Sequence, residues 1–419
     1  MAPFSSLLLA RSDGVQIVAD GKNRSRDVTV LGRGMQPADV RQTNQRAILS
    51  VISLDPGVSN ADLARTTHLA PQTVSAILAD LERAHLITRG EVLRGRRGQP
   101  ATPVFMNPTG AFAIGVEIGW SQLEVTLVGI GTQVLSRYRR EYEYPDAATV
   151  FTEMGEAVAQ VLAMMSQSER SRLIGLGLAA PGGIGDPLSL AVPPPGQAEL
   201  WAGIDIAKRA AEVTGLSVQL FNDGNAACWA ERVAHPAPRP QNFAFLLIGT
   251  WVGAGIIAEN RLWEGVTGAS ANLGSMLVTD RQGASRFVHE IASLHALRPR
   301  LKAVGFDLPA VMQDPPAPEV QAVLDVWIED AAFALAQIVL NTATVIEYEV
   351  AIVETHLPVA ILTRVIEAMN RDIQSVPSLG RGKPHVIAGH LGHSGAAEGA
   401  ALLRMYRRFF SRELAHLEG

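Results

Sequence analysis

The apolar periodicity of the chain changes once, near residue 105, and this change constrains the fold more than any other feature. Before it, apolar residues recur at helical spacing in short runs. After it, apolar runs bounded by glycine and proline alternate with amphipathic runs, which indicates strands alternating with helices. The sequence therefore predicts a small, mostly helical N-terminal domain followed by a larger α/β domain. The length of 419 residues agrees, since it corresponds to about two or three domains.

The N-terminal domain contains the parts of a winged helix-turn-helix. After a first helix, a second begins at Ser59, with Asp62 three residues later as in a capping box. A third helix carries Pro71 in its first turn, where proline is tolerated. Two short strands, 86–89 and 92–94, follow and end in a basic tip. Three helices and a hairpin with a basic loop are typical of this DNA-binding motif.

Two groups of residues are predicted to contact DNA. Exposed polar residues in the first turns of the third helix would meet base edges or phosphates, and these are Gln72, Thr73 and Ser75. Arginines of the wing would contact phosphates or a narrow minor groove, and these are Arg94, Arg96 and Arg97. Residues 89–100 hold four Arg and one Glu in a chain of net charge -5, so the basic patch is local. The alternative is a helical protein-interaction module with a solvated basic loop.

The composition favours a soluble globular protein. Hydrophobic residues make up 47% of the chain and charged residues 18%. The only cysteine, Cys228, can form no internal disulfide and no zinc site of several cysteines, which fits a reducing compartment. The apolar run at residues 5–10 is too short for a signal peptide, and no run approaches the roughly 20 residues of a membrane helix. We expect a cytoplasmic protein that does not bind membranes.

Polar side chains at the start of a predicted helix in the larger domain suggest a small-molecule site. Asp223 follows Asn222 directly after the apolar strand 217–221. A carboxylate beside an amide offers acceptors and donors together, which suits the vicinal hydroxyls of a sugar. The alternative is that Asp223 only caps the helix that follows it.

From about residue 40 to about residue 410 these motifs resemble the ROK family of repressors, open reading frames and kinases. The resemblance implies an α+β and α/β architecture, in which a winged helix-turn-helix precedes a two-lobed, actin-like or ribonuclease-H-like sugar-kinase fold. We place a weakly ordered extension at 1–38, the DNA-binding domain at 39–104, and the ligand-binding and dimerisation domain at 105–419. The wing tip is similar to the family's Arg-Gly-Arg-Pro, with Gln99 as a further DNA contact in place of the second Arg.

Two stretches resemble the phosphate-binding loops of the family's kinases but lack key glycines. The first reads Asp-x-Gly-Gly-Thr in the kinases, where the Asp positions the metal-nucleotide. Here residues 117–121 begin with Glu117 and carry Trp120 at the second glycine. The second reads Gly-Thr-Gly-x-Gly-x-Gly, and residues 249–255 carry Trp251 at the glycine after the threonine. An indole does not permit the close backbone approach that glycine gives. We therefore expect no ATP binding, no cofactor and no enzymatic activity.

The resemblance also implies a sugar site, at Asn222, Asp223, Asn272, Ser275 and His289. In the kinases the Asp matching Asp223 is the general base for a sugar hydroxyl. Asn272 and Ser275 replace a Glu and a His, and His289 replaces another Glu, with Glu290 as its substitute if the register shifts by one. The family's cysteine-rich zinc motif has no match in residues 280–289, so we expect no metal.

These features together predict a transcription regulator of carbohydrate metabolism, most simply a repressor. Its partners would be a double-stranded DNA operator, a small carbohydrate effector and a second copy of the chain, in a dimer or tetramer. The changed pocket suits a different polyol, a sugar phosphate or an acidic sugar, or has become an empty scaffold. Two alternatives stay open: an ATP-dependent sugar kinase with a DNA-binding head, and a ligand-independent DNA-binding scaffold.

Overall fold

The computed structural model describes residues 37–91, 102–185, 193–269, 271–377, 380 and 382–410. The first elements form the winged helix-turn-helix: α1 (Pro37–Leu54), α2 (Asn60–Thr67), α3 (Pro71–Arg83), β1 (Ile87–Arg89) and β2 (Val104–Met106). The predicted capping box is confirmed, since the Asp62 N–H donates to Ser59 Oγ at 3.2 Å and the Ser59 N–H donates to the Asp62 carboxylate. Pro71 is at the start of α3, as the sequence predicts.

The strand that pairs with β1 is β2, in an antiparallel register that joins Ile87 to Met106. The sequence analysis placed the partner strand at 92–94, which lies outside the described residues. β2 extends beyond residue 104, where the sequence predicted the DNA-binding domain to end. The Phe105 ring packs against the winged helix-turn-helix, so this strand belongs to that domain. A Cβ on Gly90 would lie 2.9 Å from that ring, so the backbone there approaches Phe105 closely.

The first lobe of the larger domain contains a five-stranded sheet. Its elements are β3 (Phe112–Ile118), β4 (Gln122–Gly129), β5 (Val134–Glu141), α4 (Val150–Met164), α5 (Gln167–Arg170), β6 (Leu173–Ala180), α6 (Gln197–Ala202), α7 (Ile206–Thr214) and β7 (Val218–Asn222). The strand order is β5-β4-β3-β6-β7. The first three strands form an antiparallel meander, while β3, β6 and β7 run parallel. The sequence analysis missed β5, whose side chains are mostly exposed.

The second lobe has a five-stranded sheet of order β10-β9-β8-β13-β14. Its elements are α8 (Asp223–Ala234), β8 (Phe243–Ile248), β9 (Val252–Ala258), β10 (Arg261–Leu262), β11 (Leu277–Thr279), β12 (Ser285–Phe287), α9 (His289–Ala292), α10 (Leu294–Lys302), α11 (Pro318–Ile346), β13 (Val350–Thr355), α12 (Val359–Ser375), β14 (His385–Ala388) and α13 (Gly395–Phe409). The two lobes agree with the predicted fold class. Among the described helices, none combines the length and the apolar character needed to cross a bilayer.

Two helices, α8 and α13, join the lobes. α13 packs on β3 and β6 of the first sheet, α8 packs on β9 of the second, and the two helices pack on each other. The contact depends on glycine, because a Cβ on Gly399 would lie 1.8 Å from the Ala226 carbonyl oxygen. On its other side, α13 lies as close to Gly177 of β6, where a Cβ would be 2.0 Å from the Ala400 carbonyl oxygen. The lobes therefore meet through tightly packed backbone.

Candidate functional site

A cavity of about 490 Å³ lies at the amino end of α8. Its wall also includes the loop after β6, the start of β9 and a short 3-10 helix, Leu273–Ser275. The five residues predicted to bind a ligand all line it: Asn222, Asp223, Asn272, Ser275 and His289. The fold thus brings together side chains that are up to 67 residues apart in the chain, as the numbering shows. Their role in binding stays a prediction.

The residue that caps α8 is Asn222. Its Oδ1 accepts the Asn225 N–H at 3.1 Å, whereas Asp223 is the first residue of the helix. The N-cap of this helix is therefore Asn222 and not Asp223, although Asp223 also accepts an N–H of the first turn. The Asp223 carboxyl accepts from the Gly224 N–H at 2.8 Å and from the Asn222 amide at 3.2 Å, which fixes its orientation. Burial raises the pKa of Asp223 to about 6, so the carboxyl can exchange a proton near neutral pH.

The His289 imidazole is held as a neutral hydrogen-bond donor. The Val252 N–H donates to its Nδ1 at 3.1 Å, so the ring proton lies on Nε2. Nε2 lies 3.3 Å from Ser275 Oγ. Burial lowers the pKa of His289 to about 4, which keeps the ring uncharged at neutral pH. Nε2 therefore donates to Ser275 Oγ, and the pair offers the cavity the Ser275 hydroxyl without adding charge.

Glycine at position 274 permits this arrangement. A Cβ on Gly274 would lie 2.2 Å from His289 Cε1 and 2.6 Å from the Val252 carbonyl oxygen. His289, not Glu290, lines the cavity, because the Glu290 carboxylate accepts the Phe287 N–H at 2.9 Å. Phe287 also lines the cavity, and the sequence analysis did not predict it.

The segment that matches the family's zinc motif is a small antiparallel hairpin of β11 and β12. Its turn is closed by Asp280, whose carboxylate accepts the N–H groups of Gln282 at 3.0 Å and Ala284 at 2.8 Å. The Thr279 N–H donates to Gln337 of α11 at 3.1 Å. Strand pairing and the hydrogen bonds that the Asp280 carboxylate accepts therefore stabilise this segment, which has no cysteine to bind a metal.

The tips of the two phosphate-type loops contact each other. The indoles of Trp120 and Trp251 meet edge to face, with ring centroids 6.4 Å apart. The hydroxyls of Ser121 and Thr250 lie 3.5 Å apart beside them. Trp251 also stacks on His295, with centroids 4.4 Å apart. The two positions at which the kinase motifs have glycine therefore carry indoles that contact each other.

Glu117, in the position of the kinases' metal-nucleotide aspartate, is buried. Gln122 Nε2 donates to its carboxyl at 2.8 Å. Burial raises the pKa of Glu117 to about 8, although the hydrogen bond from Gln122 acts in the opposite direction. A carboxyl that is protonated at neutral pH is a poor ligand for a metal ion.

The exposed face of α3 carries the predicted DNA contacts Gln72, Thr73 and Ser75. Ser75 also joins α3 to α2, because its hydroxyl accepts from Asn60 Nδ2 at 2.7 Å and donates to the Pro71 carbonyl at 2.9 Å. The Ser75 hydroxyl proton is therefore donated within α3. The side chains of Gln72 and Thr73 are exposed on the same helix. The other four predicted contacts lie outside the described residues, and these are Arg94, Arg96, Arg97 and Gln99.

Comparison with protein-family models assigns both parts of the chain. A model described as ROK family matches residues 113–406, which is more than half of the chain. The chain belongs to the ROK family. A model described as winged helix-turn-helix DNA-binding matches residues 41–88 of this ROK protein. The predicted family and the predicted order of its two parts are thereby confirmed.

Among characterised relatives, the xylose repressor of Bacillus subtilis strain 168 is 29% identical over 245 residues. That match covers 57% of this chain and 61% of the repressor, so less than two thirds of the relative is matched. Relatives thus include repressors, and the family also contains kinases.

Solved structures confirm the fold. A ROK family transcriptional regulator, described as a homologue of the Escherichia coli MLC protein, has a TM-score of 0.64 and 19% identity, over 91% of this chain and all of that one. A ROK family glucokinase from Streptomyces griseus, in complex with glucose and AMPPNP, has a TM-score of 0.54 and 21% identity, over 70% of this chain and 99% of that one. The larger domain therefore has the two-lobed ROK sugar-kinase fold.

Proposed function

We propose that this ROK protein is a carbohydrate-responsive transcription regulator that has no kinase activity. The observation that carries the proposal is the contrast between two neighbouring regions. The cavity keeps a carboxyl, two amides, a hydroxyl and a neutral imidazole, while two touching indoles fill the phosphate-type loops. A site of this kind suits binding without phosphoryl transfer.

The effector we propose is a small, largely uncharged polyol or sugar. Asp223 supplies one carboxylate, which accepts hydrogen bonds from vicinal hydroxyls. Asn272, Ser275 and His289 would complete the contacts as neutral groups, where the family's kinases carry additional charge. Phe287 offers an aromatic surface for the apolar face of a sugar ring. The cavity volume of about 490 Å³ falls within the usual range for small-molecule sites.

The winged helix would bind a two-fold operator as part of a homodimer. Gln72 and Thr73 are exposed on α3 and would contact bases, while the arginines of the wing would contact phosphates. The xylose repressor relative supports regulation of a gene for carbohydrate use. Closing the two lobes on the effector would change the spacing of the two DNA-binding domains and therefore the operator affinity.

A sugar kinase is the second candidate, and one observation favours it. Asp223 lines the cavity with a pKa of about 6, which suits a general base. Against it, a nucleotide would have to displace the contact between Trp120 and Trp251. Incubation with ATP and a panel of sugars separates the candidates, because sugar-dependent release of ADP requires the kinase.

The first experiment is fluorescence anisotropy of the full chain on DNA from upstream of its neighbouring genes, with and without sugars and sugar phosphates. The salt concentration must be fixed, since phosphate contacts are salt-dependent. We expect specific binding that one carbohydrate changes. Asp223→Asn should abolish that response but keep DNA binding, while Gln72→Ala should weaken DNA binding but keep sugar binding. Specific DNA binding that no carbohydrate alters would favour the ligand-independent scaffold.

A further inference from the structure

A second cluster of polar side chains lies at the other end of α8, away from the cavity. Glu231 is fully buried in the last turns of the helix, and His235 follows one helical turn later. His390, which comes directly after β14 and Gly389, completes the cluster from another part of the chain. A glutamate and a histidine four residues apart project from the same face of a helix.

The three side chains converge on a single point. Glu231 Oε1 lies 3.2 Å from His235 Nδ1 and 2.7 Å from His390 Nδ1. One ligand atom from each of the three lies within 4.8 Å of the others. Metal–ligand bonds of about 2.0–2.2 Å place the donors of a tetrahedral zinc site about 3.3 Å apart. The two distances from Glu231 Oε1 to the imidazoles are close to this spacing.

A second buried carboxyl lies beside the cluster. Glu354, at the end of β13, is 2% exposed and adjoins Glu231. Its Oε1 accepts the Leu391 N–H at 2.7 Å. Its Oε2 is buried and accepts no N–H or O–H group within the described part of the chain, so the neighbour of this carboxyl is the second buried acid, Glu231. Two adjoining buried carboxyls require a proton or a cation between them, and the imidazoles beside Glu231 add ligands that suit a metal cation.

We propose that Glu231, His235 and His390 bind a first-row divalent transition metal of the zinc class, with the buried carboxyl of Glu354 adding negative charge beside them. Two imidazoles and carboxylate oxygens suit Zn²⁺, whereas Mg²⁺ and Ca²⁺ prefer oxygen ligands alone. The His390 side chain is 41% exposed, which gives the metal a route from solvent. The site is separate from residues 280–289, where the family's cysteine motif would lie.

A metal at this position would connect two parts of the second lobe. Glu231 and His235 belong to α8 and its end, and His390 to the connection that leads into α13. Because α8 and α13 join the two lobes, the metal would stiffen the junction across which they move. We therefore expect bound metal to raise the thermal stability of the larger domain.

The test uses the full chain without an affinity tag, stripped with a chelator and then titrated with Zn²⁺, with Co²⁺ as the spectroscopic probe. We expect one equivalent of Zn²⁺ per chain to survive dialysis and to raise Tm. Co²⁺ should produce the visible absorption of a four-coordinate site, and Zn²⁺ should remove it.

His390→Gln should lose the bound metal and the Tm increase, and its exposed position makes a folding defect unexpected. His235→Gln should have the same effect if it folds. His385→Gln, an exposed histidine on β14, is the matched control and should keep one equivalent. Failure of the stripped chain to take up Zn²⁺, or one equivalent retained in His390→Gln, would overturn the proposal. The amount of bound metal and the change in Tm are both measured without DNA or sugar, so they do not depend on the proposed function.

Discussion

Replacement of Glu117 by glutamine is expected to stabilise the protein at neutral pH. The Glu117 side chain is 7% exposed at the end of β3 and accepts a hydrogen bond from Gln122 at 2.8 Å. Burial raises its pKa from 4.5 to about 8. Glutamine has nearly the same shape and keeps an acceptor for Gln122, but it carries no titrating proton. The substitution therefore isolates the free energy of burying an acid.

The sign and size of the effect follow from proton binding. Between pH 4.5 and about pH 8, the folded state holds a proton on Glu117 that the unfolded chain has released. The stability of the wild-type protein therefore falls as the pH rises through this window. Neutral pH is roughly 2.5 units above the unfolded value, and each unit corresponds to about 1.4 kcal/mol. The wild type should thus be less stable than Glu117→Gln by about 3 kcal/mol at pH 7, and by about 1 kcal/mol at pH 5.

Thermal unfolding of both proteins at the two pH values measures this difference. We expect Glu117→Gln to raise Tm by roughly 5 °C or more at pH 7 and by much less at pH 5. Glu143→Gln, an exposed glutamate between β5 and α4, is the matched control and should change Tm little at either pH. A Glu117→Gln protein that is no more stable than wild type at pH 7 would refute the protonated state of Glu117. It would also restore the kinase-like role of this carboxyl as a candidate.

Three further outcomes are expected. Gly274→Ala should weaken effector binding at least about tenfold in calorimetry, because a 2.2 Å approach to Cε1 would displace His289. Effector affinity should fall as the pH is lowered from 7 to about 5, because Asp223 has a pKa of about 6 and loses the negative charge that attracts hydroxyl donors. An effector affinity that does not change with pH would count against this contact. Gln72→Ala should lower operator affinity by about 1–3 kcal/mol in anisotropy, and an equal loss on unrelated DNA would indicate that Gln72 reads no base.

The residues predicted to bind a ligand could be named from the sequence because they lie at strand ends and glycine turns, and the structure places them around one cavity. Asn222 ends β7 and Asp223 begins α8, while Asn272 and Ser275 lie at the two ends of a short glycine-containing turn. Each motif can be recognised from neighbouring residues, and the family resemblance indicated that the motifs belong to one site. Trp120 and Trp251 were also visible in the sequence, but their edge-to-face contact depends on how the two lobes pack.

Other features depend on long-range pairing and were missed. β5 is an edge strand with few buried side chains, so it lacks the apolar alternation that predicts a strand. β2 lies 15 residues beyond the end of β1, and only the tertiary structure sets their register. The cluster of Glu231 and His390 joins positions that are 159 residues apart. No cysteine marks this cluster in the sequence, and its histidines are too far apart along the chain to form a recognisable metal motif.

The structure links the two sites through one helix. α8 begins at the cavity, with Asp223, and ends at the cluster around Glu231. Near its start it packs on α13 so closely that a Cβ on Gly399 would overlap the Ala226 carbonyl. If the lobes close on the proposed effector, this contact has to be preserved, because neither backbone can move closer. The two helices would then turn or slide against each other without compressing. The proposed metal would tie the end of α8 to the connection that leads into α13 and would act on this same contact, so we expect it to change how strongly effector binding alters the DNA affinity.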